Sequence, residues 1–175
     1  MRDMHGHARD YIEASDKLSA ALVGYGNASA MLATLEMEIL LKAAYRLDSG
    51  SANRSHKHDY FKIWKDLGSE PREAILNVAR ERYAEHARLR NAEDVETVLK
   101  ALKNAFLKGR YAYEFNEGRT LVDASEVGRQ WLKDGGLPEE ADLAYYPMEC
   151  DGIALGCARL IEARLGIPAS EGLRT

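Results

Sequence analysis

The stretch Asn27–Arg46, NASAMLATLEMEILLKAAYR, constrains the fold more than any other. At 100° per residue, Ala28, Leu32, Leu35, Ile39 and Ala43 form one stripe, while Met37, Leu40 and Leu41 point largely the other way. A helix apolar on two sides has to be covered on more than one side. Glu38 and Lys42 sit four residues apart inside this wrapping, each within about 60° of Leu35 on the helical projection. Desolvating two charges costs several kcal/mol per ion unless they are paired and hydrogen-bonded. The pair therefore bonds to itself or recruits a third group, and Glu36 serves as its solvated comparison.

With 175 residues, 46% of them hydrophobic and 30% charged, the chain supports one buried core and is too short for two. A single domain over 1–175 is expected. The net charge of -4 argues against a surface built as a whole for nucleic acid and leaves room for a local basic patch. No run of about 18 apolar residues occurs, and MRDMHGHARD lacks the apolar centre of a signal peptide. These features predict a soluble, cytoplasmic protein with no membrane partner. Cys150 and Cys157 fall about 10 Å apart along one helix, beyond disulfide reach.

Along the chain, Ala8 to Leu22 reads as a first helix ended by Gly24 and Gly26, and the central helix follows as its antiparallel partner. A polar loop, DSGSANRS, leads into His56-Lys57-His58-Asp59 and a short amphipathic helix with Tyr60, Ile63, Trp64 and Leu67. Ser69 is placed to cap the next helix, with Pro71 in its first turn and Ile75, Val78 and Tyr83 on its face. Asn91 caps a long helix whose acidic first turn suits the helix dipole. Its stripe is Val95, Val98, Leu99, Leu102, Phe106, Gly109 and Tyr113. A glycine inside a helix costs about 1 kcal/mol relative to alanine, so Gly109 suggests close approach of a backbone or ligand. Ser125 to Lys133 gives another helical stretch, and Met148 to Leu165 a last helix ended by Gly166 and Pro168. The fold class is all-α, an up-and-down bundle of four or five core helices over about 8–131, with a C-terminal helical extension appended over about 132–175.

Few residues offer chemistry. The pairs His5/His7 and His56/His58 lack the further ligands a zinc ion needs, so no metal site is expected. There is no glycine-rich phosphate loop, nucleophile elbow or paired-carboxylate motif, and no cofactor is expected. Arg110 and Glu114 at four-residue spacing read equally as a solvated ion pair beside Tyr111.

Three stretches taken in order resemble the HEPN domain, named for higher eukaryotes and prokaryotes nucleotide-binding. They are Glu38, Leu41 and Lys42 as E-x-x-L-K, then Lys57-His58-Asp59 opening an aromatic short helix, then Phe106, Arg110, Tyr111, Tyr113 and Glu114. The resemblance spans roughly 8–131. It implies a helical bundle, frequent homodimers, and members ranging from ribonuclease toxins to non-catalytic binders that sit beside nucleotidyltransferases. It also implies that Arg110 reaches Glu38, giving a polar or ligand-binding cluster of Glu38, Lys42, His58, Arg110, Tyr111 and Glu114. A second apolar face at Met37, Leu40 and Leu41 is expected to be available to a second copy unless the C-terminal helices cover it.

Ribonuclease members place a histidine four to six residues after an arginine. No histidine follows Arg110; Arg80 and His86 have the spacing but project about 120° apart. The expectation is therefore a non-catalytic domain binding a nucleotide, RNA or a partner protein, in a nucleotidyltransferase or toxin-antitoxin type setting. A metal-independent endoribonuclease drawing on Arg80, His86, Arg110 or His58 is the alternative, and a structural dimeric bundle without ligand the third reading.

Overall fold

The structure, a computed structural model, describes residues 10–11, 13–14, 17, 26–50, 56–84, 87–109, 126–127, 129–131, 133–137 and 146–167. Its main helices are α1 (Gly26–Ser49), α2 (Tyr60–Asp66), α3 (Ser69–Arg82), α4 (Ala92–Gly109) and α5 (Pro147–Leu165), with a 3-10 turn at Ala87–Leu89. Asp10, Tyr11, Glu13, Ala14 and Lys17 are also helical. Among the described residues there is no strand, and the fold is the all-α bundle expected. None of the described helices is long and apolar enough to cross a membrane.

Local chemistry sets the helix ends. Asn91 accepts from the Asp94 amide at 2.9 Å while its own amide donates to the Asp94 carboxylate at 2.7 Å, which starts α4 as its sequence predicts. Gly166, at φ 62°, closes α5 in the left-handed conformation that glycine adopts without penalty. The start of α3 differs from expectation. Ser69 is already helical, the cap position is Gly68 with no side chain to offer, and Asp48 of α1 takes the Gly68 amide at 2.9 Å. Arg164 of α5 reaches the same carboxylate at 3.2 Å, so Asp48 ties three helices.

The centre of the bundle is not where hydropathy puts it. α5, expected as an appendage, lies in the core between α1 and α3 and buries Cys150, Ile153, Ala154, Cys157, Ala158 and Ile161. Cys150 lies against Met37 and Arg164 against Asp48, so α5 runs parallel to α1. It runs antiparallel to α3: Tyr83 donates to Asp151 at 2.6 Å, and further along Gly156 meets Ile75. The approach to α3 depends on two glycines one turn apart. A Cβ at Gly152 would stand 3.1 Å from the Ala79 Cβ, and one at Gly156 would fall 2.9 Å from the Ile75 Cα and closer still to its carbonyl oxygen. Such small-xxx-small spacing lets two backbones touch.

α1 is consequently covered on the side expected to be left open. Met37, Leu40, Leu41 and Ala44 are buried, whereas Leu32, Leu35 and Ile39 of the expected core stripe are only half-buried. The apolar argument for a second copy on Met37, Leu40 and Leu41 therefore does not hold, because this chain's own helices occupy that face. On the other side of α1, α2 and α4 pack antiparallel through Tyr60, Ile63, Trp64, Val95, Val98, Leu99, Leu102 and Phe106. Fully burying such side chains contributes roughly 1.5–3 kcal/mol each.

Candidate functional site

Glu38 is the fixed point of the site. Its side chain is 4% exposed, and the pairing anticipated from four-residue spacing is present, with Lys42 Nζ 2.5 Å from Oε1. The third group is His58. Its Nδ1 lies 2.8 Å from Oε2 and 3.1 Å from Oε1, bridging the two carboxylate oxygens. A carboxylate only accepts hydrogen bonds, so Nδ1 carries the proton and the ring is oriented by a buried acceptor. Lys42 and His58 are 32% and 40% exposed, so both reach solvent from a shared buried anchor.

The loop before α2 positions His58. Asp59, the cap of α2, accepts from the Lys62 amide at 3.1 Å, and its other oxygen accepts from Lys103 of α4 at 2.9 Å. The hydrogen bond from Lys103 holds the Asp59 carboxyl below the usual carboxylate range, reinforced by the Lys62 amide against the opposing effect of burial. Lys57 takes φ 47°, a left-handed turn between His56 and His58. The His58 ring then rests on Phe106 of α4, centroids 5.1 Å apart. Glu38, Lys42, His58, Asp59, Lys103 and Phe106 thus form one cluster from α1, α2 and α4.

Other expected residues fall elsewhere. Arg110, Tyr111, Glu114 and His86 lie outside the described residues, as do His5 and His7. Gly109 is the last described residue of α4, so the close approach expected there falls outside the described residues. Arg80 is engaged structurally: it donates to the carbonyls of Leu89 at 2.9 Å and Arg90 at 3.0 Å, and to Glu73 at 2.7 Å, fastening the 3-10 turn to α3. His56 turns away from His58. It is buried, bonded through Nε2 to Asp66 at 2.6 Å and set edge-on to Tyr45 at 5.2 Å. Among the described residues no three His, Cys, Asp or Glu side chains gather where they could hold a metal.

Sequence reasoning missed the direct contact of His58 with Glu38 and the Asp59–Lys103 link. The signal for the first is the E-x-x-L-K and K-H-D pair of motifs, which hold both partners without saying that they meet. No family model, curated protein or solved structure matches the chain.

Proposed function

We propose that the chain is a non-catalytic, HEPN-like binding domain that takes an anionic ligand, a nucleotide or RNA, where Lys42 and His58 reach solvent. One observation carries the reading: two nitrogen-bearing side chains share one buried carboxylate and remain 32% and 40% exposed. Anchoring them on Glu38 reduces the rotamer freedom each would lose on meeting a phosphate, which is how a binding site is preorganised. Lys103 of α4, ion-paired to Asp59, the residue after His58, is a further amine beside this cluster. Arg110, which the resemblance would bring to Glu38, is not required for this arrangement. A homodimer, or a nucleotidyltransferase partner, would have to use a surface other than Met37, Leu40 and Leu41.

Titration calorimetry with ATP and with a short single-stranded RNA tests the reading. Lys42→Gln should weaken binding by about tenfold or more, the loss of one charge-assisted hydrogen bond, and His58→Gln, which removes the ring held beside it on Glu38, should weaken it less, with helicity by circular dichroism unchanged in both. Absence of binding to both ligands by the wild type overturns it.

One observation favours the endoribonuclease reading. His58 has its Nδ1 proton directed to a carboxylate, and among the described residues Nε2 has no partner, the arrangement of an oriented general base. Cleavage of RNA in EDTA that is lost in His58→Ala, with the fold intact, would replace the binding domain by that enzyme.

A further inference from the structure

The site continues into a basic ridge that bears an aromatic ring. Lys62 and Lys65 are exposed on α2, and Lys100 is exposed on the antiparallel α4 beside it. Between the two helices lies Phe61, half-buried, with the Lys100 ammonium 4.2 Å and the Lys65 ammonium 5.3 Å from its ring centroid. Carboxylates near the ridge are engaged: Asp59 with Lys103, and Asp66 with His56. Glu96, one turn before Lys100 on α4, is half-buried. In a chain of net charge -4 this is a local excess of positive charge.

We infer that this α2–α4 ridge binds single-stranded nucleic acid, with Phe61 as a stacking platform and Lys62, Lys65 and Lys100 on the phosphates. The inference rests on the proposed anion-binding reading and extends it from one phosphate to a strand. Exposed lysines alone attract any polyanion; the ring between them is what distinguishes a strand with unpaired bases. Stacking a base on an aromatic side chain strengthens binding by about tenfold or more, whereas an exposed ammonium over the ring is worth only roughly a few-fold. A base therefore displaces Lys65 or Lys100 from Phe61, and the released ammonium moves to the adjoining phosphate. Each neutralised phosphate then lowers the logarithm of affinity by about 0.7 per tenfold rise in salt. Phe61 is half-buried against the hydrophobic core, which limits the motion of the ring before the strand arrives.

Fluorescence anisotropy of the full chain with a labelled twelve-nucleotide oligouridine, over a salt series, is the test, beside its duplex and heparin as charge-only probes. Phe61→Ala should weaken the single strand about tenfold and leave heparin within about twofold. Lys65→Gln with Lys100→Gln should reduce the salt slope by about 1.4. Equal loss of oligouridine and heparin in Phe61→Ala, or none of either, overturns the stacking platform. Binding of ATP without binding of the oligonucleotide overturns the ridge while leaving the anion site standing; binding of neither removes both. Circular dichroism of each variant separates lost binding from lost fold.

Discussion

Adding one methyl group to Gly156 should test whether α5 is central to this fold. A Cβ there would lie 2.9 Å from the Ile75 Cα, against 3.4–4 Å for ordinary contact, so α3 and α5 must separate by at least about 0.5 Å. A radial gap of about 0.5–1 Å forfeits a quarter to a half of each dispersion contact along a seam. Two of the three nearest atoms are backbone, the Ile75 carbonyl oxygen and Cα, and neither can rotate away as a side chain does. Overpacking of this kind costs about 1–3 kcal/mol, and the backbone contact puts it at the upper end. Replacing a helical glycine by alanine returns about 0.5–1 kcal/mol. The net expectation is a loss of about 2 kcal/mol, or about 4–8 °C in Tm for a chain of this length.

Gly152 supplies the internal comparison. Its nearest neighbours are the Ala79 Cβ at 3.1 Å and Tyr83 Cδ2 at 3.2 Å, side-chain atoms that need to yield by only a few tenths of an ångström. Overpacking and helix propensity nearly cancel there, so Gly152→Ala should stay within about 1 kcal/mol of wild type. Urea unfolding followed by circular dichroism measures both. Ile75→Ala in the Gly156→Ala background should give no rescue, because the clashing carbonyl remains. A Gly156→Ala protein as stable as wild type, or less affected than Gly152→Ala, would refute the close approach of α3 and α5.

Removing both Lys42 and His58, as Lys42→Met with His58→Phe, should cost more than the sum of the single changes, since each single variant leaves the buried Glu38 one partner. A double-mutant cycle by urea unfolding should read a coupling of about 0.5–3 kcal/mol. Asp59→Asn should keep the helix cap and lose the ion pair to Lys103. Because the folded Asp59 carboxyl is depressed, its contribution is present above the unfolded value of about 3.9 and lost as pH falls through the folded one. Wild-type and Asp59→Asn urea midpoints should therefore converge below about pH 4, whereas Asp59→Ala stays lower by about 1 kcal/mol for the missing cap. Burial pushes the Cys157 thiol up, so it should resist alkylation at pH 8 until the chain unfolds, as mass spectrometry of the labelled protein would show.

Where large side chains carry the packing, the sequence is sufficient. The α4 stripe of Val95, Val98, Leu99, Leu102 and Phe106 is buried as its spacing demands, and Asn91 and Gly166 mark ends with chemistry particular to those positions. α5 escapes the same reasoning because it packs with small residues. Gly152, Ala154, Gly156, Cys157 and Ala158 weigh little in any hydropathy pattern, and buried Glu149 and Glu162 dilute it further. Yet their small size is what brings α5 into the middle. The glycine pair stands at four-residue spacing among small residues, whereas Gly109 sits in a stronger apolar stripe. In the site, Glu38 and Lys42 are legible because their contact is local, whereas His58 lies twenty residues from its partner. Glu36 is buried rather than solvated, so it does not serve as an exposed comparison for Glu38.

The placement of α1 links the packing to the site. Met37 faces Cys150 of α5, and the next residue, Glu38, faces His58 before α2. One helix therefore presents its apolar surface to the core helix and its charged seam to the site, with no turn of chain between them. A shift of α1 against α5 moves the Glu38 carboxylate relative to both nitrogens it holds. The tolerance is small, because the contacts lie at 2.5–3.1 Å and hydrogen bonds weaken steeply beyond about 3.2 Å. Asp48, bonded to Gly68 at one oxygen and Arg164 at the other, fixes α1 along its axis at the opposite end from Cys150. Burying Glu38 is costly on its own account. Set on a helix held near its middle by Cys150 and near its C-terminal end by Asp48, it keeps Lys42 and His58 in a defined place.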